Sequence, residues 1–170
     1  EIVTGRHRLE LRKRLGFKTI MSQVVKESEG FTEQMAKIVD AEDNIQSGQG
    51  EVEDYAEYHR NSEGTEQENL DRGNLITEKA KQGFALGRYA EKSLYGRFIL
   101  PKGHEQKINA KWAAAIAYAT KDLSPDMREA IQVRAMADYK TAKTPDELYE
   151  RTRNRIKMFG KKEKRIIFIN

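Results

Sequence analysis

The sequence contains no cysteine and only three prolines and one tryptophan in 170 residues. The absence of cysteine excludes disulfides, a catalytic thiolate and metal sites with Cys ligands, and it is typical of a reducing compartment. No run of about 20 apolar residues is present, and the first residues lack the pattern of a signal peptide, so we expect no membrane partner. Composition therefore predicts a soluble, cytoplasmic protein with one or two small domains.

Histidine is also scarce, and its positions argue against a metal site. His7, His59 and His104 are far apart and share no i, i+4 spacing, so we expect no His-based metal centre. The chain opens on Glu1 to Thr4 without a Met, and we expect it to be a piece of a longer protein whose other domains are its partners.

Charge is segregated along the chain. Residues 1–26 hold 7 basic and 2 acidic residues and residues 151–170 hold 8 and 1, whereas residues 27–81 hold 5 basic and 15 acidic residues. Clustered Lys and Arg bind phosphate backbones by counterion release, so we expect nucleic acid to contact the ends or the second half. A solvated charged tail is the alternative interpretation of the same counts.

Strand-like and helical patterns predict an α+β fold. Glu1 to Thr4 and Thr19 to Val25 are typical of strands, and they flank a helical run from Arg6 to Leu15, which favours a small mixed sheet with a crossover helix. A last strand is predicted in Lys164 to Asn170. We therefore expect a mixed-sheet lobe truncated at its N-terminus over 1–62, a mostly helical lobe over 63–160, and a basic tail with a short strand over 161–170.

Cap residues mark the helix starts. Each precedes an apolar stripe at helical spacing, and Pro125 and Pro145 occupy the first helical position after two of them. The predicted N-caps are Thr32, Thr65, Thr77, Asn109, Ser124 and Thr144.

The turn Gly5 to Arg8 predicts an anion site at the start of the first helix. Gly5 lets a ligand approach the backbone, the first helical N–H groups have no intrahelical partner, and Arg and His add charged hydrogen bonds. An ordinary turn with surface arginines is the commoner alternative.

Two segments carry a resemblance to a known family. Residues 1–25 resemble the central segment of ParB/sulfiredoxin-like domains. The likeness depends on the turn Gly5-Arg6-His7-Arg8, the helix that follows, Gly16 and the strand Gln23-Val24-Val25. Glu42-Asp43-Asn44-Ile45-Gln46 looks like the E-N-x-Q box of ParB proteins. The likeness covers residues 1–60 and is closest to ParB-like domains within large multidomain proteins of phages and other mobile elements.

The resemblance implies a site for CTP or ATP with Mg²⁺, formed by the glycine–arginine turn and the acidic box. Asp43 shortens the usual Glu and Ser47 replaces a basic residue, which argues against CTP hydrolysis; solvated helix-end acids are the alternative interpretation of the box. Sulfiredoxin activity is excluded because Arg6 stands where that enzyme has its cysteine. The assigned phosphate-binding residues are Gly5, Arg6, His7, Arg8 and Asn44, with Glu42 and Asp43 as catalytic candidates.

The second half predicts a helix-turn-helix, which ParB proteins carry after their nucleotide domain. The pattern consists of a helix over Glu66 to Leu70, a break at Gly73 and a second helix over Glu78 to Tyr89. A second strip of basic residues begins at Arg151. Surface lysines without a ligand are the alternative. The predicted DNA-binding residues are Lys79, Lys81, Gln82, Arg88, Arg151 and Arg155.

These patterns predict a ParB-like DNA-binding module of a bacterial, phage or plasmid protein, associated with the nucleoid or a plasmid. Nucleotide bound at the first turn would switch DNA binding or dimerisation with a second copy. Two alternatives remain open: a metal-dependent nuclease or phosphoesterase using Asp40, Glu42 and Asp43, and a non-catalytic docking domain of a larger DNA-modification or antirestriction protein.

Overall fold

Helices form all the regular structure of the described chain. The computed structural model describes residues 2–98, 100 and 104–166. One 3₁₀ turn, Glu27–Glu29, lies between the first two helices. The helices are α1 Arg6–Arg14, α2 Glu33–Gln46, α3 Val52–Asn61, α4 Glu66–Asp71, α5 Glu78–Tyr89, α6 Lys92–Phe98, α7 Ala110–Ala119, α8 Pro125–Asp138 and α9 Pro145–Ile166.

The predicted α+β fold with a mixed-sheet lobe is wrong. Thr19 to Val25 has irregular backbone with every side chain exposed, and residues 2–4 are also irregular. Residues 164–166 belong to α9, while Glu1 and residues 167–170 of the predicted strands lie outside the described residues. Valine and isoleucine favour strands only where a neighbouring strand and a core face complete the pleated surface. No strand is present among the described residues, so this surface is not formed.

The predicted helix starts are confirmed. At five of them the cap side chain accepts a hydrogen bond of 3.0–3.2 Å from a backbone N–H two or three residues later. Each such bond satisfies a helical donor that has no intrahelical acceptor, a contribution of about 1 kcal/mol. Ser124 also starts a helix, α8, without a side-chain cap bond and with Pro125 at the first helical position.

The centre of the fold is the contact between α3 and α5. Gly83 and Gly87 are buried on the face of α5 that meets α3. A Cβ at Gly87 would lie 2.6 Å from the carbonyl oxygen of Ala56, and one at Gly83 would overlap Tyr55 Cβ. Two glycines four residues apart therefore let the backbones of α3 and α5 approach more closely than any side chain would permit.

The second half packs around the other side of α5. α5 packs against α7, which packs against α9, and Phe98, Ile116 and Leu148 are fully buried among these helices. Gln132 of α8 is completely buried: its amide donates to the Tyr89 carbonyl (2.7 Å) and its oxygen accepts from the Glu91 N–H (2.8 Å). This side chain connects α8 to the end of α5.

Residues 2–31, here called the N-terminal arm, differ from the rest because none of their side chains is buried. The hydroxyl of Thr4 donates to the Asp43 carboxylate of α2 at 2.9 Å. Large apolar side chains of the arm remain exposed, including Leu11 at 56% and Leu15 at 64%. The arm therefore adds no buried side chain to the core, although Val3, Leu9 and Phe31 are half-buried.

Candidate nucleic-acid interface

Helices α4 and α5 form a helix, a turn and a second helix. α4 ends at Gly73, whose φ of 74° is the left-handed conformation that favours glycine, and the Gly73 N–H donates to the Leu70 carbonyl at 3.0 Å. Leu75 is buried against Ala80 and Phe84, which holds the connection onto α5. This connection, residues 72–77, is longer than the three or four residues usual in a helix-turn-helix.

The two halves of α5 differ in exposure. In the first half Glu78, Lys79 and Lys81 are exposed, Gln82 is half-buried and Ala80 is buried, whereas residues 83–87 of the second half are all buried. A recognition helix in the major groove contacts base edges with its N-terminal residues, while the protein body holds the remainder. The exposure of α5 matches that requirement.

The exposed lysines of α5 are paired with carboxylates in this structure. Lys79 Nζ lies 2.8 Å from Glu51 Oε1, and Lys81 Nζ lies 3.4 Å from Glu78 Oε1. The hydrogen bond that Lys79 donates to Glu51 raises the pKa of Lys79 above its usual value. Exposed ion pairs contribute little free energy, so a DNA phosphate can replace the carboxylate.

Arg88 lies away from these lysines. It is nine residues after Lys79, which corresponds to about 14 Å along the helix axis. Its guanidinium lies 5.8 Å from the centre of the Phe84 ring, and its Nε and Nη2 are buried without a hydrogen-bond partner among the described residues. The structure therefore does not bring Arg88 together with Lys79 and Lys81.

Arg151 and Arg155 on α9 connect the last two helices. Arg155 Nη2 lies 2.6 Å from Asp138 Oδ2 at the end of α8. Arg151 pairs with Glu147 and donates to the Thr141 hydroxyl at 2.9 Å. Arg155 thus binds a carboxylate of α8, whereas Arg151 binds a carboxylate of its own helix and the hydroxyl of Thr141 just after α8.

The Gly5 to Arg8 turn has the backbone of an anion site, with acidic neighbours. Gly5 has a φ of 80° and directly precedes α1, and the side chains of Arg6, His7 and Arg8 are exposed. Across from them is α2, where burial raises the pKa of Asp40 and the positive charge of Arg6 opposes that rise. The Thr4–Asp43 hydrogen bond brings the turn and the acidic box into contact, as the resemblance implies.

The other two residues of the predicted box face away from the turn. Asn44 donates to Asp54 of α3 at 2.8 Å. Glu42 lines a groove of about 430 Å³ together with Tyr55 and Tyr58. Glu42, Asp43 and Asn44 therefore do not converge on one point, because consecutive helical residues point about 100° apart.

A chain of hydrogen bonds connects the start of α1 to the start of α5. Thr4 donates to Asp43, and the next residue, Asn44, donates to Asp54. Asp54 Oδ2 accepts from the Glu51 N–H at 2.8 Å. Glu51 in turn binds Lys79. Thr4, just before α1, and the first turn of α5 therefore both contact residues near the junction of α2 and α3.

Sequence reasoning missed two parts of this site. The Glu51-x-x-Asp54 capping box that connects α2, α3 and α5 has a recognisable spacing, and it could have been found in the sequence. The close contact at Gly83 and Gly87 is also visible in the sequence, as a G-x-x-x-G spacing. No sequence pattern identifies α3 as the helix that these glycines contact.

The comparisons supply no relative for this chain: no protein family model, no curated protein and no solved structure matches it. Within residues 2–98, 100 and 104–166, no group of three or more His, Asp or Glu side chains is arranged to hold a metal ion. None of the helices in this part of the chain combines the length and apolar character needed to cross a bilayer.

Proposed function

We propose that this protein is a DNA-binding module that contacts the duplex through the α4–α5 helix-turn-helix. The observation that supports this function is the division of α5 into a first half that exposes Glu78, Lys79 and Lys81 and a second half in which residues 83–87 are all buried. Close packing against α3 at Gly83 and Gly87 fixes the direction of α5, and three of the four side chains in its first turn stay exposed. A duplex can approach that turn without displacing any part of the core.

The exposed residues of α5 have the chemistry of DNA readers. Lys79 and Lys81 can bind phosphates or the acceptor atoms of guanine, and Gln82 can bind adenine through two hydrogen bonds. The neighbouring acids Glu51 and Glu78 hold the lysines when no DNA is bound. Lysines that neutralise DNA phosphates release counterions, so we expect binding to weaken as the salt concentration rises, while the negative charge of the two acids lowers the affinity.

The test is fluorescence anisotropy of a labelled duplex titrated with the protein at 50 and 200 mM salt. We expect the double variant Lys79→Ala/Lys81→Ala to bind at least 10-fold more weakly than the wild type. The matched control is Lys140→Ala/Lys143→Ala, which removes two exposed lysines far along the chain and should bind as the wild type does. Absence of wild-type binding at 50 mM salt would overturn the proposal.

A second candidate function is nucleotide binding at the Gly5 to Arg8 turn, and the Thr4–Asp43 contact favours it. A triphosphate would bind the first N–H groups of α1 and the exposed Arg8, with Mg²⁺ between its oxygens and Asp43. Isothermal titration calorimetry with CTP and with ATP, each with Mg²⁺, tests this function. We expect binding of one nucleotide that is lost in Arg8→Ala; no heat with either nucleotide would contradict it.

A further inference from the structure

Helix α1 is the most basic helix that is also fully accessible. Its nine residues include five Lys or Arg and one acid, Glu10. None of its side chains is buried, so its sequence is not explained by packing against the body. A solvated helix needs no such excess of one sign, because like charges at i, i+4 destabilise it.

The cations of α1 also differ from the others in their ion pairing. Arg14 lies 2.8 Å from Glu10, but among the described residues no carboxylate lies within 4 Å of the other four cations. Those four are Arg6, Arg8, Arg12 and Lys13. The lysines of α5 and the two predicted arginines of α9 all have carboxylate partners. A phosphate that binds α1 therefore has no carboxylate to displace, although Arg6 donates to the Ile2 carbonyl at 3.4 Å and the Arg12 guanidinium lies 4.7 Å from the centre of the Phe17 ring.

The position of α1 relative to α5 follows from the hydrogen bonds described above. The route from Thr4 through Asp43, Asn44 and Asp54 to Glu51 and Lys79 uses contacts of 2.8–2.9 Å. Thr4, just before α1, and Lys79, in the first turn of α5, therefore both contact residues near the junction of α2 and α3, and a duplex bound at the first turn of α5 would come within reach of α1.

We propose that α1 is a second, sequence-independent contact to the DNA backbone, placed beside the duplex segment that α5 reads. This inference rests on the proposed function of the α4–α5 helix-turn-helix. Phosphates are the partner because Arg8 and Arg12 occupy one side of α1 while Arg6 and Lys13 occupy another, an arrangement that suits a charged backbone rather than one base edge.

The phosphates of a free nucleotide offer the same chemistry as those of DNA, and the choice of variant separates the two. Arg12 and Lys13 lie at the end of α1, outside the Gly5 to Arg8 turn. Replacing both with Gln removes two positive charges but keeps good helix formers and disturbs no buried side chain. Circular dichroism and thermal melting should therefore match the wild type.

The experiment measures the slope of log Kobs against log salt for a labelled duplex with the full chain. Each phosphate contact contributes about −0.9 to the slope, so we expect Arg12→Gln/Lys13→Gln to reduce its magnitude by about 2 and to weaken binding roughly 10- to 50-fold at 0.1 M salt. The matched control, Lys140→Gln/Lys143→Gln, should keep the wild-type slope.

Four results would overturn the inference, and they are distinguishable. An unchanged slope in Arg12→Gln/Lys13→Gln, while Lys79→Ala/Lys81→Ala binds weakly, rejects the role of α1 and leaves the proposed function standing. An equal loss of DNA affinity in the Lys140→Gln/Lys143→Gln control shows that the effect is not specific to α1, because any exposed cation contributes as much. A wild type that never binds the duplex rejects the proposed function itself. If Arg12→Gln/Lys13→Gln loses CTP binding in calorimetry but keeps the wild-type slope of log Kobs against log salt, these two cations bind nucleotide and not DNA.

Discussion

The N-terminal arm and the α3–α5 pair both begin from clear helical patterns, but only the pair gains buried tertiary contacts. In the arm, Leu11 and Leu15 are spaced for a common face and are more than half exposed. In the pair, Ala56 is fully buried against α5, and the backbones meet where Gly83 and Gly87 have no side chain. The arm therefore depends on local interactions, and the pair depends on contacts between distant residues.

This difference assigns the two regions different tasks. The pair fixes the direction of α5 and leaves its first turn exposed, which a rigid reading element requires. The arm has cations without carboxylate partners and no packing to maintain, so substitutions there change charge without changing the fold. The polar route from Thr4 to Lys79 is what connects the two. Substitutions in the pair should therefore have the largest effect on stability, those in the connection a smaller one, and those of apolar residues in the arm the smallest.

The largest effect is expected from Gly83→Leu. Its Cβ would overlap Tyr55 and lie 3.0 Å from the Ala56 nitrogen, so α3 and α5 must separate. We expect a loss of more than about 4 kcal/mol in the free energy of unfolding, or no cooperative transition, in urea denaturation followed by circular dichroism.

Gly96→Ala is the matched control for that variant, because a Cβ at this exposed position in α6 meets nothing within 4 Å. The control should gain about 0.5–1 kcal/mol from the better helix propensity of alanine. Wild-type stability in Gly83→Leu would show that α3 and α5 do not pack as described.

The second prediction concerns the buried His59 on α3. Burial, with a smaller contribution from the charge of Arg88, lowers its pKa to about 4. Below pH 6.5 the unfolded chain binds a proton at this histidine that the folded chain does not, so the stability present above pH 6.5 is lost as the pH falls toward 4. Between pH 7.5 and pH 5 the loss should be about 2 kcal/mol.

Urea denaturation at pH 7.5 and at pH 5 measures this loss of unfolding free energy, with His59→Phe as the test variant. The phenylalanine keeps the edge contact to Phe84 but cannot be protonated, so its stability should change less with pH than that of the wild type. His104→Gln is the control, since that side chain is exposed and should leave the pH profile as it is. Equal slopes in wild type and His59→Phe would reject the assignment.

A smaller effect is expected from Asn44→Ala, which removes the hydrogen bond between α2 and α3. The bond to Asp54 is partly buried at 2.8 Å, so we expect a loss of about 1 kcal/mol. The control Gln46→Ala, on the same helix, removes an exposed side chain without a hydrogen bond among the described residues and should cost less. Thermal melts of both variants distinguish a specific contact from a general effect of alanine on α2.

The sequence allowed the helix starts to be predicted, because a cap such as Thr65 with Glu68 is completed within four residues. It did not allow the strands to be predicted correctly, because a strand such as Thr19 to Val25 needs a partner that the described chain does not supply. Among the predicted DNA-binding residues, Lys79 and Lys81 are exposed, but the inward position of Arg88 depends on how α5 packs against α3 and has no signal in the local sequence.

The smallest effect is expected from Leu11→Ser/Leu15→Ser in the arm. Both side chains are mostly exposed, so the variant removes almost no buried apolar surface, and the unfolding free energy should stay within about 0.5 kcal/mol of the wild type. Thermal unfolding by circular dichroism measures the change, with Val133→Ser on α8, a half-exposed apolar residue of the body, as the control. A drop of several degrees confined to the arm variant would mean that this apolar stripe is covered in solution, and the arm would then be part of the packed fold rather than an accessible basic element.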